Sequence, residues 1–170
     1  EIWRNQQVYT QTYERGDPKG ELEITGTTKK RGTKITFKPD PQIFEVTEFS
    51  FDTLAQRLRE LAFLNGGVTI TIDDERDGKS HHFLYAGGIS SFVEYLNLNK
   101  TAVNDKPIHM HGEKDGIDVE LSLQWNDSYT ETVYTFANNI NTHEGGTHLS
   151  GFRSALTRTV NYYAGKNNLA

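Results

Sequence analysis

The segment that most constrains the fold runs from Asn138 to Tyr163 and reads NNINTHEGGTHLSGFRSALTRTVNYY. Gly145 and Gly146 disfavour helix, and Thr147 directly after them is a residue type that caps helix N-termini, so the sequence predicts a helix that begins near Thr147. Apolar residues then recur at helical spacing and should share one face. They are Leu149, Phe152, Leu156, Val160 and Tyr163. We expect this face to be buried against the rest of the chain.

The two arginines of the predicted helix take different positions around its axis. Arg158 falls opposite the apolar face and Arg153 falls at its edge, by the ~100° rotation per helical residue. If the apolar face packs on a sheet, Phe152→Ala should cost ~3–5 kcal/mol. Arg158→Ala should then cost less than ~0.5 kcal/mol, because the side chain faces away from the core.

Composition limits the class of protein. The chain has 170 residues, which fits one domain or two very small ones, with one domain favoured. Its net charge of -5 argues against a protein whose whole surface binds nucleic acid. It has no cysteine, which suits a cytoplasmic protein, and its apolar runs are too short for a membrane span. The first residue is Glu1 rather than methionine, from which we expect a fragment of a longer polypeptide.

The first half of the chain predicts short strands followed by a helix. Val, Tyr and Thr residues predict a strand over Ile2–Tyr13, and alternation predicts another over Lys34–Phe37. Leu22 and Ile24 suggest a short strand between them. A helix with Phe51, Leu54, Leu58 and Leu61 on one face follows, and Asn65, Gly66 and Gly67 should end it.

The second half predicts two hairpins and a further helix. Val68–Ile72 alternates and should pair with the strand that holds Phe83 and Tyr85, and a helix is expected at about Ile89–Leu98. Ile117–Trp125 has the clearest alternation, and Asn126-Asp127-Ser128 should turn it into a partner strand over Tyr129–Ala137. Together these elements predict an α+β fold, a single mixed β-sheet with about three helices.

The histidines do not make a convincing metal site. His143 and His148 flank Glu144 at a spacing of five with two glycines between, whereas the zinc-hydrolase motif needs two histidines four apart on one helical turn. His109 and His111 would share a strand face, but no third ligand stands at a fixed spacing. We therefore predict no metal-binding residue.

No catalytic or nucleotide-binding residue is predicted either. The Gly-Gly-Thr sequence before the last helix lacks the lysine of a phosphate-binding loop, and no GxGxxG sequence occurs. No nucleophile, base and acid can be grouped by spacing. Lys29, Lys30 and Arg31 could touch phosphate, although three adjacent cations are more typical of a solvated hairpin tip.

Several segments resemble the B subunit of bacterial DNA gyrase, and in the same order. They are FEVTEFSFDTLAQRLRELAFLNGG, FVEYLN, EKDGIDVELSLQWNDSYTE and INTHEGGTHLSGFRSALTRTVN. The resemblance as a whole covers Gly32 to about Tyr163. The equivalent subunit of topoisomerase IV shares the GGTH core and is one alternative. A stand-alone, non-enzymatic binding module of the same fold is another.

The resemblance implies the transducer domain of a type IIA DNA topoisomerase over residues 1–170, with a ribosomal-protein-S5-domain-2-like fold. In that family the transducer relays ATP binding and hydrolysis to DNA strand passage and supercoiling, an isomerase reaction. The family's partners are DNA, the gyrase A subunit and a second B subunit, and its cofactors are ATP and Mg²⁺. The upstream GHKL ATPase domain and the downstream Gln-Thr-Lys loop are both missing here, so we expect the fragment alone to have no activity and no cofactor.

One surface is a candidate for contact with DNA. Arg153, Arg158 and Lys166 lie in a stretch, Thr147 to Ala170, that contains no acidic residue, although the chain as a whole is acidic. A segment with charges of one sign creates a local positive field that phosphates can use. We therefore predict that the polar side of the last helix faces DNA in the intact dimer.

Overall fold

A computed structural model describes residues 1–169 of the chain, which divides into two compact units. The first unit, Glu1–Ser50, is built from short strands, and the second begins at Phe51 and holds all three helices. None of the helices described is long and apolar enough to cross a membrane.

The first unit consists of antiparallel strands joined by tight turns. Its strands are β1 (Ile2–Arg4), β2 (Gln7–Thr10), β3 (Tyr13–Glu14), β4 (Asp17–Pro18), β5 (Glu23–Thr27) and β6 (Gly32–Thr33). Four of them form a sheet in the order β5-β2-β1-β6, and β3 pairs with β4.

Two strand predictions in this unit were wrong in extent. Ile2–Tyr13 is a hairpin rather than one strand, because Asn5 and Gln6 have φ values of 52° and 62° and form a two-residue turn. Positive φ at both central residues is the geometry that matches the twist of a hairpin. The predicted strand Lys34–Phe37 is irregular, and Ile35 and Phe37 are exposed. Alternation of apolar and polar residues was therefore not sufficient for this segment to pair with another strand.

The second unit alternates helices with hairpins. Its elements are α1 (Phe51–Leu64), β7 (Ile70–Asp74), β8 (Lys79–Phe83), α2 (Gly88–Leu96), β9 (Ile108–Lys114), β10 (Ile117–Leu123), β11 (Phe136–Ala137), β12 (Ile140–Asn141) and α3 (Gly146–Lys166). The α+β class with three helices is confirmed. The single mixed sheet is wrong, because the described strands form separate antiparallel sheets. Tight turns pair neighbouring strands locally, which leaves no crossover to build a parallel pair.

The core of the second unit lies between α1 and the β7–β8 hairpin. Phe51, Ala55, Ala62 and Phe83 are buried together, and Leu58, Ile70, Ile72 and Tyr85 pack against them. The predicted α1 face was partly right, since Leu54 is 40% exposed and two alanines take part instead. Small alanine side chains allow close approach of the helix to the strands. As predicted, the helix ends before Asn65, whose side-chain amide donates to the Leu61 carbonyl at 2.7 Å.

The strand partner of β10 was predicted incorrectly. Strand β10 pairs with the preceding strand, β9, along seven residue pairs, from Ile117↔Lys114 to Leu123↔Ile108. Asp115 and Gly116, with φ values of 55° and 75°, form the tight turn between them. Tyr129–Ala137 is not the partner strand, and only Phe136–Ala137 of it forms β11. The Asp-Gly pair was the stronger hairpin signal because it allows two positive φ values at low cost.

Candidate functional site

The candidate site is helix α3 together with the chain that leads into it. The helix begins at Gly146, and the residue before it, Gly145, has φ 85° and ψ -58°. A Cβ atom on Gly145 would lie 2.8 Å from Leu149 Cδ2. Both the backbone angles and the space therefore require glycine there. The predicted cap at Thr147 was wrong, because the helix starts one residue earlier and no side chain caps it.

The chain before α3 forms a short hairpin, β11–β12, that is hydrogen-bonded to α1. Asn138 and Asn139, with φ values of 48° and 65°, form the turn between β11 and β12. Arg57 Nη2 donates to the Asn139 carbonyl at 2.8 Å, and Asn139 Nδ2 donates to Asn65 Oδ1 at 3.0 Å. The first helix thus fixes the position of a turn more than seventy residues away in sequence.

A hydrogen-bond cluster connects this hairpin to the first turn of α3. The hydroxyls of Thr135 and Thr142 lie 2.6 Å apart, and the Thr142 amide donates to the Thr135 carbonyl at 2.8 Å. Thr142 Oγ1 is also 3.1 Å from Nε2 of His148. His148 therefore takes part in a polar contact at the start of the helix, and His143 and His148 are both exposed.

The apolar face of α3 is less buried than the sequence predicted. Leu149, Phe152 and Leu156 are half-buried, but Val160 is 52% and Tyr163 is 61% exposed. No residue of α3 is buried. The expectation of a fully packed face was wrong, because the described elements cover only the N-terminal half of the helix.

The three predicted cations differ in their surroundings. Arg153 Nη2 donates to Glu131 Oε2 at 2.7 Å, so a carboxylate already neutralises much of its charge. Lys166 lies in the last turn, with its ammonium 6.0 Å from the centre of the Tyr162 ring. Within residues 1–169, Arg158 is exposed and makes no ion pair. Among the described residues, Arg158 and Lys166 are thus the Arg and Lys residues of α3 that have no carboxylate partner.

Metal and acid-base chemistry have little support near α3. In the described part of the chain, no group of three or more His, Cys, Asp or Glu side chains is arranged to hold a metal ion. His109 and His111 each contact one carboxylate of β10, namely Glu120 at 2.9 Å and Asp118 at 2.6 Å. Far from α3 in sequence, hydrogen bonds from the Arg76 side chain lower the pKa of Asp74 to about 2. The polar side of α3 offers positive charge and hydrogen-bond donors at the surface.

Comparison with known proteins gives one consistent family. A family profile described as DNA gyrase B matches residues 88–170. The DNA gyrase B subunit of Myxococcus xanthus is 57% identical over 168 residues, which is 99% of this chain and 21% of that protein. The Bacillus mycoides counterpart is 50% identical over 170 residues, again 99% of this chain and 42% of the relative.

Solved structures show the same likeness in three dimensions. The 43K ATPase domain of Thermus thermophilus gyrase B, solved in complex with an aminocoumarin, superimposes with a TM-score of 0.86 at 34% identity. It covers 99% of this chain, which spans 47% of that domain. The structure of the Myxococcus xanthus gyrase B subunit gives 0.82 at 26% identity, over 96% of this chain and 49% of the other. The chain therefore spans about half or less of each of these proteins.

Proposed function

We propose that this chain, which corresponds to a region of the DNA gyrase B subunit, is the transducer segment that relays ATP binding and hydrolysis to DNA strand passage. The observation that carries the proposal is the overlap of nearly the whole chain with part of a gyrase ATPase domain, at a TM-score of 0.86. The proposal includes the ribosomal-protein-S5-domain-2-like fold, which the α+β composition with three helices supports.

The catalytic partners of this segment belong, in our proposal, to the rest of the gyrase polypeptide. ATP and Mg²⁺ would bind mainly to a GHKL ATPase domain, and a lysine from a Gln-Thr-Lys loop would reach the γ-phosphate. The intact enzyme would work with DNA, the gyrase A subunit and a second B subunit. The 170-residue chain offers no phosphate-binding loop of its own.

The isolated chain is therefore expected to be catalytically silent. Calorimetric titration with a non-hydrolysable ATP analogue and Mg²⁺ should give no heat of binding. Micromolar affinity in that titration would show that the chain holds a nucleotide site that neither its motifs nor its side-chain clusters reveal.

The link to DNA in this proposal is the polar side of α3. Thr147 to Ala170 contains no Asp or Glu, and Tyr162 stands midway along the helix between Arg158 and Lys166. Because Arg153 is paired with Glu131, we assign the main phosphate contacts to Arg158 and Lys166 and a weaker one to Arg153. An unpaired surface cation attracts a phosphate with its full positive charge, whereas the charge of a paired cation is partly cancelled by the neighbouring carboxylate.

Charge reversal in the full-length protein tests this proposal. Arg158→Glu should leave folding and basal ATPase activity unchanged, because the side chain is exposed, and should reduce the stimulation of ATPase by DNA. Lys106→Glu is the matched control, since it makes a charge reversal of the same size at an exposed position outside α3. If both variants keep full stimulation, the polar side of α3 faces something other than DNA.

A further inference from the structure

A cavity of about 420 Å³ in the second unit lies apart from the residues of the proposed DNA-facing side. Residues of α1, of β8 and of α2 line it, together with Tyr134 from the chain before β11. Its volume falls in the ~300–1,000 Å³ range that is typical of small-molecule sites. A cavity of roughly 150 Å³ already holds one benzene ring, so this one has room for a ring and a polar substituent.

The chemistry of the cavity is set by Arg59. Its guanidinium is 5.4 Å from the centre of the Phe83 ring and 5.5 Å from that of Tyr95. It donates a hydrogen bond to the Tyr95 hydroxyl at 3.0 Å and, within the described residues, forms no ion pair. Cation–π contacts with two rings hold the guanidinium in place, and a fixed guanidinium can form two parallel bonds to a carboxylate.

Most of the donors of Arg59 are still available. A guanidinium has five N–H groups, and one hydrogen bond to a protein acceptor engages only one of them. No buried side-chain nitrogen or oxygen of the described residues lacks a partner, so the remaining N–H groups of Arg59 are open to the cavity or to solvent. They form a half-buried positive site in an acidic protein.

Two acidic residues, Asp52 and Glu60, also line the cavity, and within the described residues neither forms an ion pair with Arg59. Glu60 accepts a bond from Arg57 at 2.9 Å and is therefore neutralised by another residue. Asp52 stands seven residues before Arg59 on the same helix, which places the two about 10 Å apart along the axis.

Aromatic rings form the wall beside this positive site. Phe92 and Tyr134 contact each other with ring centres 5.1 Å apart and an interplanar angle of 55°. His81, also in the lining, stacks on Phe51 at 5.4 Å. Rings in such tilted contacts accept a further aromatic ring at an edge or an offset face.

We propose that this cavity is a binding site for a small aromatic carboxylate, with the carboxylate on Arg59 and the ring against Phe92 and Tyr134. The site is separate from the proposed contact with DNA, and it predicts a preference for ligands that carry both groups. A neutral aromatic ligand lacks the paired bonds to Arg59, and an inorganic anion lacks the ring contact.

Ligand-observed NMR on the 170-residue chain tests the site with phenylacetate against phenylacetamide, its neutral counterpart. We expect phenylacetate to bind roughly tenfold more tightly, the factor that one additional charge-assisted contact provides. In a second, protein-observed spectrum of the ¹⁵N-labelled chain, backbone amide shifts should change around Phe92 and Tyr134. Inorganic phosphate at equal ionic strength should compete only weakly.

Variants test whether Arg59 is the residue that causes the preference for phenylacetate over phenylacetamide. Arg59→Gln should remove the preference for the acid over the amide, Arg59→Lys should keep part of it, and Lys106→Gln, at an exposed position outside the cavity, should not change it. Equal binding of acid and amide by the unmodified chain, or no saturation transfer at millimolar ligand, would overturn the proposal. That comparison needs no variant, so it decides the matter even if Arg59→Gln does not fold.

Discussion

Helices α1 and α3 show how differently two amphipathic sequences can be used. Helix α1 has 14 residues and buries Phe51, Ala55, Ala62 and Phe63. Helix α3 has 21 residues and buries none. The shorter helix packs on the β7–β8 hairpin and on α2, whereas the longer one is held mainly at its start, by Gly145 and the Thr142–His148 contact.

This contrast indicates that apolar periodicity predicts a helix more reliably than it predicts burial. Both helices repeat apolar residues at helical spacing, yet only α1 has a strand pair and a helix against its apolar face. In α1, two of the buried residues are Ala55 and Ala62, which a search for large apolar residues overlooks. In α3 the exposed apolar and cationic positions leave a surface that is suited to recognition rather than to stability.

The strongest effect should come from truncating Phe63 in α1, and the same truncation at Phe152 in α3 should cost less. Phe63 is 1% exposed and stacks on Tyr85 and Phe92, so Phe63→Ala should cost ~3–5 kcal/mol. Phe152 is only half-buried, so Phe152→Ala should cost about 1–2 kcal/mol, less than its sequence suggests. Urea unfolding measures both. Equal losses would show that α3 is packed as firmly as α1.

Smaller effects of opposite sign are expected for two glycines of the α3 region. Gly145→Ala should destabilise the start of α3 by about 1–3 kcal/mol, because φ 85° is strained for alanine and its Cβ would collide with Leu149. Gly151→Ala should stabilise the helix by about 0.4–1 kcal/mol, since nothing lies within 4 Å of the new methyl group.

Helix content and hydrogen exchange of the α3 amides report the two glycine variants. Faster exchange in Gly145→Ala and slower exchange in Gly151→Ala are expected, with the α1 amides unchanged in both. If Gly145→Ala also loosens α1, the two helices form one cooperative element and the contrast between them fails.

The weakest effect is a pH dependence of the stability of the β7–β8 hairpin, which packs against α1. Asp74 ends β7, and the bonds from Arg76 lower its pKa from 3.8 to about 2. Because the folded-state pKa is the lower one, the stabilisation is complete above the ordinary pKa and is lost as pH falls toward 2. Asp74→Asn should weaken the pH dependence of stability in that window, as measured by thermal melts. An identical pH profile in the variant would mean that the contact contributes nothing to folding.

Apolar spacing and turn residues correctly predicted the helices and hairpins whose contacts are between residues close together in the chain. The end of α1 at Asn65, the β7–β8 hairpin and the position of α2 follow from apolar spacing and turn residues. The Asp115-Gly116 turn was available as a signal for the β9–β10 hairpin, but the longer alternation toward Trp125 drew the prediction to the wrong partner. Each strand could pair with more than one other strand, and the alternation of residues within a strand does not show which partner it pairs with.

The candidate site was predictable only in its charges. The absence of acidic residues after Thr147 is visible in the sequence, and Arg158 is exposed as predicted. The pairing of Arg153 with Glu131, 22 positions earlier, and the bonds of Arg57 and Asn65 to Asn139 depend on tertiary contacts. The one local hint was the Asn138-Asn139 pair, since asparagine tolerates positive φ in a two-residue turn.

The most direct test of α3 as the DNA-facing helix is the salt dependence of DNA binding by the full-length protein. Fluorescence anisotropy with a labelled duplex gives the binding constant over a series of salt concentrations, for the unmodified protein, Arg158→Glu and the control Lys106→Glu. Loss of one phosphate contact should make the slope of log K against log salt shallower by about 0.9 in Arg158→Glu. The control should keep the slope of the unmodified protein. An unchanged slope in Arg158→Glu, with the protein folded, would contradict the assignment of α3 as the DNA-facing helix.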